Sequence, residues 1–254
     1  MRRRFFVEAF SGGQAWLTGE AAHHLGRVLR AEPGQVYELS DGTAVFLGRI
    51  EEVARDRIHF ALLEEVRRPT ALLEITLLLA IVKFERFEWA LEKATELGAN
   101  AIVPVAAQRS DKGLVAAAAK RADRWRKILL ESAQQARCLR PPLLTSTERA
   151  PSVFSGISAS LKVLFSERNT APGLQTILKQ TASEICGGRS PRIALTVGPE
   201  GGWTDEEFAA AASAGFQEAS LVENILRTDT AVVAGLAAVQ LYLRSPERPA
   251  SQQR

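Results

Sequence analysis

Arg192-Ile193-Ala194-Leu195-Thr196-Val197 runs directly into Gly198-Pro199-Glu200-Gly201-Gly202-Trp203. The first stretch alternates poorly and is rich in aliphatic side chains, which predicts a strand buried on both faces, as in a parallel sheet. The loop after it then lies at a strand's carboxyl end, where open α/β sheets bind their ligands. Thr204-Asp205-Glu206-Glu207 has the form of a capping box, with Thr204 as N-cap, and Trp203 and Phe208 suit the flanking hydrophobic staple. The loop is therefore fixed at its exit, while Gly198, Gly201 and Gly202 let its main chain approach a ligand closely. It lacks the Lys-Ser/Thr ending of a P-loop, and Pro199 removes an N–H that a dinucleotide fingerprint would offer to pyrophosphate. A main-chain cofactor site and a tight structural turn both remain open at this point. A second loop, Asn224-Ile225-Leu226-Arg227-Thr228-Asp229-Thr230-Ala231, stands between an apolar strand and a helix in the same way.

The rest of the chain supplies the sheet. Residues 72–82 are nearly all aliphatic and predict a central strand, and residues 85–97 form an amphipathic helix with Phe87, Ala90, Leu91, Ala94 and Leu97 on one face, capped by Gly98. A strand at 101–105, a long helix over 115–137, a strand at 161–165 and the strand ending at Val197 complete an α/β alternation. The long helix shows Trp125, Ile128, Leu129, Ser132 and Ala136 on one side. Residues 1–68 read as a small, mostly β unit. Short β-prone runs at 36–39 and 44–50 are joined through Asp41-Gly42, another strand is expected at 58–63, and one helix over 20–30 is closed by Pro33-Gly34. The break falls at Arg67-Arg68-Pro69-Thr70.

At 254 residues, 46% apolar and 24% charged, the composition is that of an ordinary globular protein. The apolar run at 231–243 contains Gly235 and Gln240 and falls short of the roughly 20 residues a bilayer needs. No signal-length apolar stretch follows Phe5-Phe6-Val7, so a cytoplasmic location is expected. Cys138, Cys186, His23, His24 and His59 give no metal-ligand spacing, and no metal is expected. Residues 108–140 carry nine basic side chains against three acidic, whereas residues 1–70 carry ten of each. That excess suits a polyanion, or a solvated helix face.

The two loops together, Val197 to Gly202 and Ile225 to Ala231, resemble the signature of the RsmE family of 16S rRNA uridine-N3 methyltransferases, in the SPOUT superfamily. Further segments are similar to the family's in the same order: Arg2-Arg3-Arg4-Phe5-Phe6, His24-Leu25-Gly26-Arg27-Val28-Leu29-Arg30, Glu92-Lys93-Ala94-Thr95-Glu96-Leu97-Gly98, Arg109-Ser110, and Arg124-Trp125 through Glu131, Gln134, Gln135 and Arg137. The resemblance implies an α/β chain with a PUA-like β-barrel RNA-binding domain at 1–68, a trefoil-knotted SPOUT methyltransferase domain at 71–245, and a flexible tail at 246–254. It implies a homodimer acting on 16S ribosomal RNA, within the small ribosomal subunit.

It further implies bent S-adenosylmethionine held by Val197, Gly198, Pro199, Glu200, Gly201 and Gly202, and by Leu221, Val222, Asn224, Ile225, Leu226 and Thr228. Three departures stand out. Val222 and Asn224 occupy positions where the family usually has glycine and arginine, and Phe84 follows Lys83 where glycine is common. The alternative reading is a catalytically inactive RNA-binding assembly protein of the same fold.

Methylating uridine N3 requires loss of the proton on that nitrogen. Arg227 and Arg109 are the candidates to stabilise the developing uracil anion, and Glu200 to accept the proton. The base must be unpaired or flipped out. Arg2, Arg3, Arg4, Arg30, Lys83, Arg86, Arg124, Lys127 and Arg137 are the expected RNA contacts, and their affinity should fall with salt.

Overall fold

The computed structural model describes residues 3–67, 73–168, 170–185 and 191–244. Arg2, the expected break at 68–70, Cys186 and the expected tail lie outside the described residues. The chain divides into two compact units, Met1–Thr70 with Leu130–Pro141, and Ala71–Leu129 with Pro142–Arg254.

The first unit is built on a six-stranded sheet of β1 (Arg4–Phe6), β2 (Phe10–Ser11), β3 (Gln14–Thr18), β4 (Val36–Ser40), β5 (Val45–Val53) and β6 (Arg57–Glu65), in the order β1-β4-β5-β6-β3-β2. Register shifts between Phe46 and Gly48 and between Ile50 and Glu52 curve the β5–β6 pair, giving a half-barrel around Phe5, Leu39, Ile50, Ile58 and Phe60. The expected Asp41-Gly42 turn closes β4 to β5, with Gly42 at φ +86 and Asp41 Oδ1 accepting from the N–H groups of Thr43 (2.8 Å) and Ala44 (2.9 Å). Burial alone would raise the Asp41 carboxyl, but these bonds and the Thr43 hydroxyl outweigh it and hold its pKa below the usual value. The single helix expected over 20–30 is instead a short α1 (Gly19–His23) continued by a π-helical turn, His24–Val28.

Arg4 requires a correction. Expected to face RNA, it is 2% exposed, because its register partner across the β1–β4 pair is the buried Glu38. Its guanidinium lies 2.6 Å from Glu38 Oε2 and donates to the carbonyls of Arg137 and Cys138, while Arg137 approaches the other Glu38 oxygen at 3.3 Å. A buried charge must be paired, and Arg4, so occupied, is not available to a phosphate. Arg137 is likewise drawn to Glu38.

The second unit carries a seven-stranded parallel sheet with helices on both faces. Its elements are β7 (Glu74–Ala80), α2 (Phe84–Glu96), β8 (Ala101–Ala106), α3 (Lys112–Gln135, its last residues belonging to the first unit), β9 (Leu143–Leu144), β10 (Glu148–Arg149), α4 (Ala150–Gly156), β11 (Leu161–Phe165), α5 (Leu174–Ile185), β12 (Arg192–Val197), α6 (Asp205–Ser213), β13 (Gln217–Ala219) and α7 (Thr228–Arg244). The strand order is β10-β8-β7-β12-β11-β13, with β9 beside β8. Side-chain alternation divides the core. Ile75, Leu77 and Leu79 of β7 and Ile193, Leu195 and Val197 of β12 pack with α2, α3, α5 and α7, while Leu78 and Ala194 face α4 and α6. Both faces are covered, which is why these strands read as unbroken apolar runs. Trp125 of α3, 1% exposed, packs on Phe87 at 4.5 Å between ring centroids. Phe84, one of the departures, sits edge-on to Trp125 under the Arg121 guanidinium, 4.7 Å from its ring centre, and is accounted for by packing.

Candidate cofactor and active site

β12, β11 and β13 are consecutive neighbours in the sheet and run parallel, so the loops leaving their carboxyl ends gather at one edge. Ser166, Glu167, Arg168, Ala171 and Gly173, with residues 198–203 and 220–226, contribute to the lining of a cavity of about 570 Å³. Each expected cofactor residue, Val197, Gly198, Pro199, Glu200, Gly201, Gly202, Leu221, Val222, Asn224, Ile225, Leu226 and Thr228, is on its wall. Sequence reading missed the third contributor, including Phe165, Ser166 and Glu167. The strand at 161–165 was legible, but its place beside β12 is a tertiary fact, and without it nothing marks the residues that follow.

The loop after β12 is held on every side. Thr228 Oγ1 donates to the Gly198 carbonyl (2.9 Å), Arg109 Nη1 to the Gly201 carbonyl (2.8 Å), and the Gly202 N–H to the Pro199 carbonyl (2.9 Å). At its exit the expected capping box is complete: Thr204 Oγ1 accepts from the Glu207 N–H (3.3 Å), and Glu207 Oε2 from the Thr204 N–H (3.0 Å). Glu207 is fully buried, and its other oxygen accepts the Gln108 N–H (2.8 Å), so one carboxylate ties this loop to the one after β8. The Glu206 carboxyl lies below its usual pKa, first through its own N–H and then the Thr204 hydroxyl, with Arg109 adding to the effect and Asp205 opposing it. Gly198 is needed for space. A β-carbon at Gly198 would lie 2.9 Å from Trp203 Nε1, and Trp203 is buried against Phe154. At Gly202 the requirement is conformational, since φ is +69; the Glu167 oxygen that a β-carbon would meet at 2.6 Å is the end of an exposed side chain that can swing aside.

The chemical candidates sit around this frame. Arg109 grips the loop through Gly201. Glu200 faces Arg86, an expected RNA contact, across a 3.3 Å ion pair at the surface. Arg227 is exposed between cavity residues Leu226 and Thr228, and its guanidinium has no hydrogen-bond or ion-pair partner among the described residues. Val222 leaves the cavity open and is itself 51% exposed. Of the other basic candidates, Arg124 pairs with Glu88 at 2.8 Å, which raises its pKa through hydrogen bonding and charge, while Lys83, Lys127 and Arg30 are exposed and Arg3 is half-buried. Among the described residues, no helix is long and apolar enough to cross a membrane.

This arrangement has known relatives. An RNA methyltransferase domain family matches residues 68–240, and an RNA methyltransferase PUA domain family matches residues 17–63. The chain is 34% identical over 238 residues to ribosomal RNA small subunit methyltransferase E of Synechocystis sp., spanning 90% of this chain and 73% of that protein. It superimposes with a TM-score of 0.81 on the crystal structure of a ribosomal RNA small subunit methyltransferase E from Neisseria gonorrhoeae bound to S-adenosyl methionine, at 30% identity, covering 94% of this chain and 97% of that one. A methyltransferase of Legionella pneumophila, solved in complex with the bound cofactor SAM, is similar at 27% identity with a TM-score of 0.79, covering 94% and 97% of the two chains. Fold, loop architecture and family match thus agree, and the chain belongs to the RsmE family of RNA methyltransferases.

Proposed function

We propose that this chain transfers a methyl group from S-adenosylmethionine to N3 of a uridine in 16S ribosomal RNA of the small ribosomal subunit. The observation that carries the reading is the cavity at the ends of β11, β12 and β13. Its volume of about 570 Å³ suits a small-molecule cofactor. Its wall includes the glycine-rich loop 198–202 and the exposed loop 220–226, whose N–H and C=O groups can meet an adenine edge and hydroxyls. Carboxylates outnumber unpaired cations on it, which suits a ligand carrying a sulfonium. When bound, that cofactor supplies an electrophilic methyl group, and the protein needs no metal for this step.

The residues divide the remaining work. The loop from Val197 to Gly202, with Leu221, Val222, Asn224, Ile225, Leu226 and Thr228, holds the cofactor. Arg227 stabilises the negative charge that builds on uracil when N3 loses its proton, since it is the candidate arginine not already engaged with protein. Glu200, on the loop after β12 and 44% exposed at its side chain, accepts that proton once its Arg86 pairing opens. Arg109 serves by fixing the loop through Gly201. Lys83, Lys127, Arg30 and Arg3 hold RNA phosphates, joined by Arg86 and Arg124 where substrate competes with their carboxylates. The trefoil knot, the homodimer and a cytoplasmic location belong to this reading through the family resemblance.

The test is calorimetric titration with S-adenosylmethionine, followed by an N3-methyluridine assay on small-subunit particles. Saturable binding is expected, lost in Gly201→Trp, where even a β-carbon would come within 3.3 Å of Arg109. Arg227→Ala should retain cofactor binding and lose methyl transfer by roughly two to three orders of magnitude. Absence of cofactor binding with RNA present would sink the reading.

A further inference from the structure

The half-barrel sheet of the first unit has a core face and an outer face. Ala15 and Leu17 of β3 and Ile58 and Phe60 of β6 belong to the core, so Trp16, Arg57 and His59, which alternate with them, stand on the outer face. Trp16 and His59 are register partners across the β3–β6 pair, and their rings stack at 4.1 Å between centroids, 18° apart in plane. The Arg57 guanidinium lies 4.5 Å from the indole centre. A cross-strand pair of this kind supports the sheet, but sheet support does not account for what the three side chains leave open.

The indole keeps 39% of its surface exposed in spite of both contacts. Its two ring partners come from β6, on one flank of β3. On the other flank β2 pairs only with Gln14 and Ala15, so no strand lies beside Trp16 there and the indole is open at the sheet edge. Arg57 has no hydrogen-bond or ion-pair partner among the described residues, whereas Arg49 on the adjoining strand is paired with Glu51 at 2.8 Å. His59 also makes no hydrogen bond among the described residues, and its Nε2 is buried, so the imidazole serves as a ring behind the indole. An open aromatic surface beside an unpaired cation matches the two parts of a nucleotide. The base stacks on the ring, and the phosphate meets the cation.

We infer that Trp16 and Arg57, backed by His59, form a stacking site for one unpaired nucleotide of the RNA substrate on the outer face of the N-terminal sheet. This rests on the RNA-substrate reading above and goes beyond the phosphate contacts assigned there. A phosphate contact is blind to pairing, whereas a base inside a duplex has no free face to offer the indole. Stacking also releases no counterions, so its contribution is separable from that of the basic side chains by salt.

The experiment measures binding of the full-length chain to two fluorescein-labelled RNAs, a hairpin with an unpaired loop and a blunt duplex of equal length, by polarisation across a salt series. A thermal melt accompanies each variant. Trp16→Leu should weaken hairpin binding about tenfold to a hundredfold with the slope against salt unchanged, and leave duplex binding as it was. Trp16→Phe should restore most of the loss, and Arg57→Ala should lower the hairpin salt slope by about one. Unchanged hairpin affinity in Trp16→Leu overturns the inference, and so does an equal loss on hairpin and duplex. Should Trp16→Leu melt early, the unaltered chain decides: a loop 5-iodouridine photo-crosslinked to it should be recovered on the peptide carrying Trp16, and recovery of none there overturns the inference. Failure of the unaltered chain to bind either RNA overturns the RNA-substrate reading first, and this site with it.

Discussion

The loops after β12 and β13 share one cavity and are built in opposite ways. The first is crossed by Thr228, Arg109 and Glu207, and it buries Trp203 at 3% exposure. The second has the Ser220 hydroxyl on the Val222 carbonyl at 3.1 Å, and leaves Val222 51% and Ile225 82% exposed. Exposed aliphatic side chains on a cavity rim bring no folding benefit until something covers them. The first loop is a wall that folding completes. The second is a surface that, on the proposed reading, the cofactor completes.

Three substitutions sharpen or break this contrast. Glu207→Ala should have the largest effect, because it orphans the N–H groups of Gln108 and Thr204 together. A loss of about 2–4 kcal/mol in urea unfolding is expected, with weaker cofactor binding. A change below about 0.5 kcal/mol, the scale of an ordinary surface substitution, would show that the first loop does not depend on that carboxylate. Thr228→Val keeps shape and removes the donor to Gly198. It should reduce stability by about 1 kcal/mol and raise the cofactor Kd several-fold, and unchanged calorimetry would remove Thr228 from the frame.

The smallest stability effect is expected at Ile225→Ser, within about 0.5 kcal/mol of wild type. Ligand affinity should nevertheless fall, since the lost apolar area is covered only in the bound state. If Ile225→Ser destabilises the unbound chain by more than about 1 kcal/mol, beyond the usual surface range, the second loop is as much a folded wall as the first and the comparison fails.

Much of this was legible because the relevant physics is local. The capping box at Thr204 and Glu207 needs only four consecutive residues, and the Asp41-Gly42 turn fewer. The long apolar strands announced a sheet covered on both faces. Where the reading erred or stopped, the deciding neighbour was remote in sequence. Arg4 looked like one of a run of surface arginines until pairing of β1 with β4 placed it opposite Glu38. The short strands β1 to β3 and helix α4 carried no named expectation, having too few residues to establish a period, and the longer α5 was not named either.

The sequence by itself determined the central strands β7, β8, β11 and β12, the helices α2 and α3, and the caps and turns that bound them, and singled out the glycine-rich loop as a candidate site, since each follows from side-chain periodicity or from backbone conformations only certain residues adopt. The tertiary structure alone decided which loops share the cavity and which arginines are engaged. Those are consequences of strand order and cross-strand register, which bring together residues whose separation along the chain carries no trace of the contact.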